Sequence, residues 1–151
     1  MGPTGSGKSY LACALAQKAC REGFSVLYHR LPRLLPDLGL AKADGRYGKL
    51  LAALARADLL VLDDWAVHPL TDVQRRDLLE ILEDRYGRRS TVVTSQLPVA
   101  AWHDAFGDAT LADAVLDRLV HNAYQLPLST KESMRKRKAL QTNAAPATGA
   151  R

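Results

Sequence analysis

Long apolar runs are absent from this 151-residue sequence. The longest useful one, Leu59 to Leu62, falls far short of the roughly 20 residues a helix needs to cross a bilayer, so a membrane-spanning chain is excluded. No apolar stretch follows Met1, and no secretory signal peptide is expected. Cysteine is scarce. Cys13 and Cys20 lie seven apart in what reads as one helix, about 10 Å of rise and too far for a disulfide. A disulfide scaffold is thereby excluded, and a reducing, cytoplasmic setting is the expectation. His29, His68, His103 and His121 lack metal-ligand spacing with either cysteine, no Ser/His/Asp triad can be inferred, and no internal repeat is visible.

What is present is enough for a packed core. Hydrophobic residues make up 47% of the chain and charged residues 25%, in a length suited to one domain. The net charge of +5 has an address. Residues 131–151 hold six cations (Lys131, Arg135, Lys136, Arg137, Lys138 and Arg151) against Glu132 alone, and residues 1–130 are balanced. The reading is a core over 1–130 and a basic tail over 131–151, disordered from Gln141. The tail suits an anionic partner or simply solubilises the terminus.

Strand and helix patterns alternate. Helices are expected over Lys8–Glu22, Tyr47–Ala57, Thr71–Arg85, Val99–Ala105 and Leu111–Asn122, and strands over Phe24–Tyr28, Asp58–Asp63, Ser90–Thr94 and Ala123–Leu128. Thr71 followed by Gln74 forms a capping box, and Pro32 and Pro36 punctuate the stretch after the first strand. The alternation implies an α/β fold, a parallel sheet with helices on both faces. Trp65 and Trp102 read as packing residues. Arg85, Arg88 and Arg89 gather at a helix C-terminus, where cations suit the helix dipole, with DNA or a neighbouring chain as the other use.

The sequence opens on Gly2-Pro3-Thr4-Gly5-Ser6-Gly7-Lys8-Ser9, a complete Walker A motif. Glycines let successive backbone N–H groups converge on phosphate oxygens, Lys8 reaches the β- and γ-phosphates, and the Ser9 hydroxyl is a magnesium ligand. The following helix aims its positive end at the anion. The motif outweighs the myristoylation pattern that Gly2 also fits. Such a loop follows a buried strand, whereas only Met1 precedes Gly2, so the expected fold lacks that strand. Leu59-Leu60-Val61-Leu62-Asp63-Asp64 has the form of a Walker B segment. Asp63 is placed to serve magnesium and Asp64 to polarise the attacking water. Thr94-Ser95-Gln96 ends another strand where polar groups can sense the γ-phosphate, or else form a turn ahead of Pro98. Arg118 projects from an amphipathic helix as an arginine finger for a neighbour's site, or pairs with Asp113 or Asp117 on the surface.

The Walker A loop together with LLVLDDW (59–65), DLLEILEDRYGRRSTVVTSQLPV (77–99), LADAVLDRLVHNAYQLPL (111–128) and ESMRK (132–136) resembles the IstB-like ATP-binding proteins. These are ATPase helpers of bacterial insertion-sequence transposases, related to the DnaC helicase loaders within the AAA+ group. The resemblance runs from Gly2 to about Lys138 and implies a P-loop NTPase core of the AAA+ type, with ATP and Mg2+ as cofactors. It further implies a homo-oligomer assembled on DNA without strong sequence preference, and a partner transposase. Gly2, Gly5, Gly7, Lys8 and Ser9 carry over as the cradle, Asp63 and Asp64 as the acid pair, Gln96 with Ser95 as the sensor, and Arg118 as the finger. The alternatives are a DnaC-like helicase loader and a truncated, non-catalytic remnant.

Overall fold

The computed structural model describes residues 1–121, 123–129 and 133. Three strands, β1 (Val26–Arg30), β2 (Leu59–Trp65) and β3 (Ser90–Ser95), form a parallel sheet in that spatial order. The period of two along β2 divides the core. Leu59 and Val61 pack with Ala12 of α1 (Lys8–Arg21), which covers one face. Leu60 and Leu62 point the other way. There they meet α2 (Leu31–Ala43), α3 (Tyr47–Arg56), α4 (Asp72–Arg85), α5 (Trp102–Phe106) and α6 (Ala109–Val120). Trp65, 1% exposed, packs on Trp102 and Phe106 at ring separations of 5.7 and 6.4 Å, so both tryptophans are core residues. Helices on both faces of a parallel sheet match the expected architecture.

Four expectations need correction. The first strand begins and ends two residues later than read, because Ser25 is engaged at its foot. The Ser25 N–H and hydroxyl both donate to the Asp58 carboxylate, at 2.9 and 2.6 Å. The proline-punctuated stretch is α2, a helix. Pro32 sits in its first turn, where a missing N–H costs nothing, and burial of Leu31, Leu34, Leu35, Leu38 and Ala41 outweighs the bond lost at Pro36. The span 123–128 forms no regular strand. Arg85 is not available to DNA. It is 1% exposed and donates to the carbonyls of Leu54 (2.5 Å) and Ala57 (2.8 Å) at the C-terminal end of α3, to the Thr91 hydroxyl and to the Ser90 carbonyl. One guanidinium thus closes a helix end and anchors the root of β3. The capping box of α4 is present as read, with Thr71 and Gln74 exchanging side-chain-to-backbone hydrogen bonds, an arrangement worth about 1 kcal/mol.

The chain's first two residues take the place that a strand beside β3 would occupy. The Met1 amine donates to the Leu126 carbonyl at 2.8 Å, and the Leu128 N–H donates to the Met1 carbonyl at 2.7 Å. The Gly2 N–H donates to the Ser95 carbonyl at 3.2 Å. A Cβ on Gly2 would lie 2.2 Å from the Leu128 carbonyl oxygen, so only glycine fits there. Along the rest of β3 the space is a groove of about 500 Å³, walled by residues such as Leu11, Leu15, Val92, Leu119 and Leu126. Of the basic tail, only Ser133 lies within the described residues.

Candidate nucleotide-binding site

The phosphate loop leads directly into α1. Gly7 is its N-cap at φ +89°, a conformation that side chains rarely adopt, and no side chain caps the helix. The positive end of α1 therefore opens onto the loop. Lys8 Nζ donates to the Gly2 and Pro3 carbonyls at 2.7 and 2.8 Å, which folds the ammonium back into the loop. Ser6 Oγ is the one buried side-chain oxygen among the described residues with no hydrogen-bond partner. An orphaned buried hydroxyl is costly unless a ligand completes it.

The acids arrive from β2. Because residues two apart share a face, Tyr28 and Arg30 of β1, Asp63 of β2 and Thr94 of β3 lie on the α1 side, as do Val26, Val61 and Val92. At the C-terminal ends of the strands these side chains converge with Ser9 from the first turn of α1. Ser9 Oγ lies 2.9 Å from both Asp63 oxygens, Tyr28 Oη donates to Asp63 Oδ2 at 2.5 Å, and the Thr94 hydroxyl donates to Asp63 Oδ1. Asp63 is 2% exposed. Burial pushes its pKa up, but the hydrogen bonds from Thr94, Tyr28 and Ser9 outweigh this and hold it below the ordinary carboxylate value. The phenol of Tyr28 is pushed well above its ordinary value by burial and by Asp63, so it stays a donor.

In a regular strand Asp64 would face away from Asp63. Instead β2 breaks register with β3 between Leu62 and Trp65, and Asp64 adopts φ +64°. Aspartate tolerates this left-handed conformation better than most residues. The Asp64 carboxylate meets Arg30 of β1, and its backbone meets Thr94 of β3. Its Oδ2 accepts from Arg30 Nε at 3.0 Å and Nη2 at 2.5 Å, and its N–H donates to the Thr94 hydroxyl at 3.2 Å. Thr94 thus ties the two acids together.

The structure brings together Gly2 to Ser9, Asp63, Asp64 and Gln96. Gln96 Oε1 accepts from the Thr4 hydroxyl at 2.7 Å, linking the end of β3 to the phosphate loop. Ser95, by contrast, is fully buried. Its hydroxyl donates to the Trp65 carbonyl and accepts from the Leu97 N–H, so it braces the turn behind Gln96. Arg118 is held away from this cluster, with Nη2 at 2.7 Å from Glu83 of α4 and Nη1 on the Ala114 carbonyl. The earlier candidates Asp113 and Asp117 are not its partners. Tyr28 and Arg30 were not foreseen. The signal for them was present: two polar residues at i and i+2 near the end of the strand beside the acids.

The donor set fits a hard divalent cation, since Ser9 and Asp63 offer adjacent oxygens at the mouth of a phosphate cradle. The orphaned Ser6 hydroxyl and the uncapped helix N-terminus fit an anion. Comparison with known proteins points to ATP. The family model for IstB-like ATP binding proteins matches residues 1–142. The insertion sequence ATP-binding protein y4pL of Sinorhizobium fredii is 62% identical over 135 residues, 89% of this chain and 55% of that protein. Among solved structures, DnaI superposes with a TM-score of 0.76 at 22% identity, covering 85% of this chain and 70% of DnaI. AMPPCP-bound DnaA from Aquifex aeolicus superposes with a TM-score of 0.74 at 16% identity, covering 99% of this chain and 45% of DnaA. The fold is that of the AAA+ P-loop ATPases. The chain spans about half the length of the curated relatives it matches. It belongs to the family of IstB-like ATP-binding proteins associated with insertion sequences.

Proposed function

We propose that the chain binds magnesium-ATP in the Gly2–Ser9 loop and uses the nucleotide to control assembly on DNA beside a transposase. The observation that carries the nucleotide reading is the convergence of Ser9 and Asp63 at 2.9 Å where the loop enters α1. Magnesium, held by Ser9 and Asp63, would offset the phosphate charge. The chain's own groups do the rest. Lys8 exchanges the Gly2 and Pro3 carbonyls for phosphate oxygens. Asp64 orients the attacking water and accepts its proton, and Gln96 follows the γ-phosphate from its place on Thr4. Arg118, parked on Glu83, turns toward a neighbour's nucleotide once subunits stack. The cationic 131–151 segment supplies phosphate contacts to DNA that carry no sequence information.

One observation favours a second reading, nucleotide binding without turnover: Arg30 occupies the Asp64 carboxylate that would polarise water. Phosphate release separates the two readings. The binding claim is tested by melting the protein with and without magnesium-ATP. At about a hundredfold excess over Kd the expected gain is about 2.7 kcal/mol. Lys8→Ala should abolish it, and no gain in the wild-type chain overturns the proposal. Neutralising Arg135, Lys136, Arg137 and Lys138 should weaken DNA binding equally on any sequence and flatten its salt dependence; an unchanged salt slope overturns the role given to the tail.

A further inference from the structure

We infer that Tyr28 is a positioning residue for the metal half of this site, fixing the Asp63 carboxylate in the orientation that receives a divalent cation. The inference rests on the magnesium-ATP reading above. Three hydroxyls meet Asp63, but they are not equivalent. Ser9 addresses both oxygens, Thr94 addresses Oδ1, and Tyr28 addresses Oδ2. Ser9 has a single proton to share between the two oxygens, whether or not its lone pair faces a cation, so it fixes neither of them. Thr94 and Tyr28 then remain as one donor on each oxygen, which is the minimum that stops a carboxylate from rotating. Without the phenol, Oδ2 has no fixed donor.

Packing does not explain Tyr28. Its side chain belongs to neither apolar cluster, and it is 39% exposed on an outer strand of the sheet. Register explains it. Tyr28 stands opposite Val61 and two residues before Arg30, whose partner in the ladder is Asp63. A side chain at position 28 must therefore reach forward by about two residues, close to 7 Å, to meet Asp63. Tyrosine spans that distance with a rigid ring and puts a donor at the end, whereas serine or threonine would fall short.

The test is a Mn2+ titration followed by electron paramagnetic resonance, with a non-hydrolysable ATP analogue present, on the wild-type chain and on Tyr28→Phe. Partners that orient a metal ligand typically contribute a factor of ten or more in metal affinity. Tyr28→Phe is expected to raise the half-saturating Mn2+ roughly tenfold while analogue affinity in EDTA stays unchanged. Metal-free melting establishes that the variant is folded at the titration temperature, and Tyr86→Phe, on an exposed tyrosine at the end of α4, should match wild type. Equal half-saturation in wild type and Tyr28→Phe overturns the inference. An equal loss of analogue affinity with and without metal also overturns it, because Tyr28 would then support the site's fold in general. If the wild-type chain binds neither the analogue nor Mn2+, the magnesium-ATP reading fails and this inference falls with it.

Discussion

β1 and β3 are both outer strands of one three-stranded sheet, yet they present opposite chemistry on their free sides. β1 carries Tyr28, His29 and Arg30, and two of these side chains end on the acids of the site. β3 reads Ser90-Thr91-Val92-Val93-Thr94-Ser95, with no charge, and faces an apolar groove of about 500 Å³. Natural edge strands are protected by charge, while strands buried on both faces of a parallel sheet are β-branched and apolar. By that standard β1 is built as an edge and β3 is built as an interior strand. The phosphate loop hangs on the β3 side, where Gly2 bonds to Ser95. The ligand cradle therefore lies on the β3 flank.

The largest effect is expected at a buried tie on that flank. Arg85 joins the end of α3 to the root of β3 through buried carbonyls. Arg85→Ala leaves those acceptors buried and unpaired, at a cost of about 3–5 kcal/mol in urea unfolding. Arg85→Lys should recover little, since one ammonium cannot span the set. A loss below about 1 kcal/mol, the scale of a surface ion pair in general, would erase the contrast between the two flanks.

The second effect is a gain. Five apolar β-formers added ahead of Met1 would extend about 17 Å along β3, in line with the bonds that Met1 and Gly2 already make. After the entropy of ordering, burial should leave about 2–3 kcal/mol, or about 5–10 °C in Tm. Amide exchange in β3 should slow and that in β1 should not. The same extension with two prolines should give no gain, because proline cannot join the ladder. If both extensions stabilise equally, the groove is not shaped for a strand.

Legibility in the sequence followed contiguity. The loop Gly2–Ser9 and the pair Asp63-Asp64 are short consecutive strings, and their chemistry can be read without knowing the fold. The strand–helix alternation gave the layers for the same reason. What escaped depends on register. With the first strand ended at Tyr28, Arg30 lay outside it, and the shared face of Tyr28, Asp63 and Thr94 could not be seen. The left-handed turn at Asp64, which undoes strand alternation, leaves no mark in composition because aspartate is ordinary at a strand end. Pro32 and Pro36 concealed α2, since tertiary burial of its leucines decided against local propensity. Ala123 to Leu128 has a strand's composition, but the backbone bonds of Leu126 and Leu128 go to Met1 and not to β3.

The smallest expected effect is the response to acid, and its first stage should belong to β1. β3 has no titratable side chain. On β1, burial pushes the His29 pKa below its ordinary 6.5, against the pull of Asp37. The unfolded chain then takes up the proton first, so this contribution is full above about pH 6.5 and is lost as pH falls through the lowered folded value. Asp63 is likewise depressed, but from 3.8, so its contribution survives to lower pH and is lost only as pH falls below that value. Urea midpoints measured from pH 8 to pH 3 should therefore fall in two stages. His29→Gln should remove the first stage and leave the second. If the first stage persists in His29→Gln, the proton is taken up elsewhere and β1 does not own that stage.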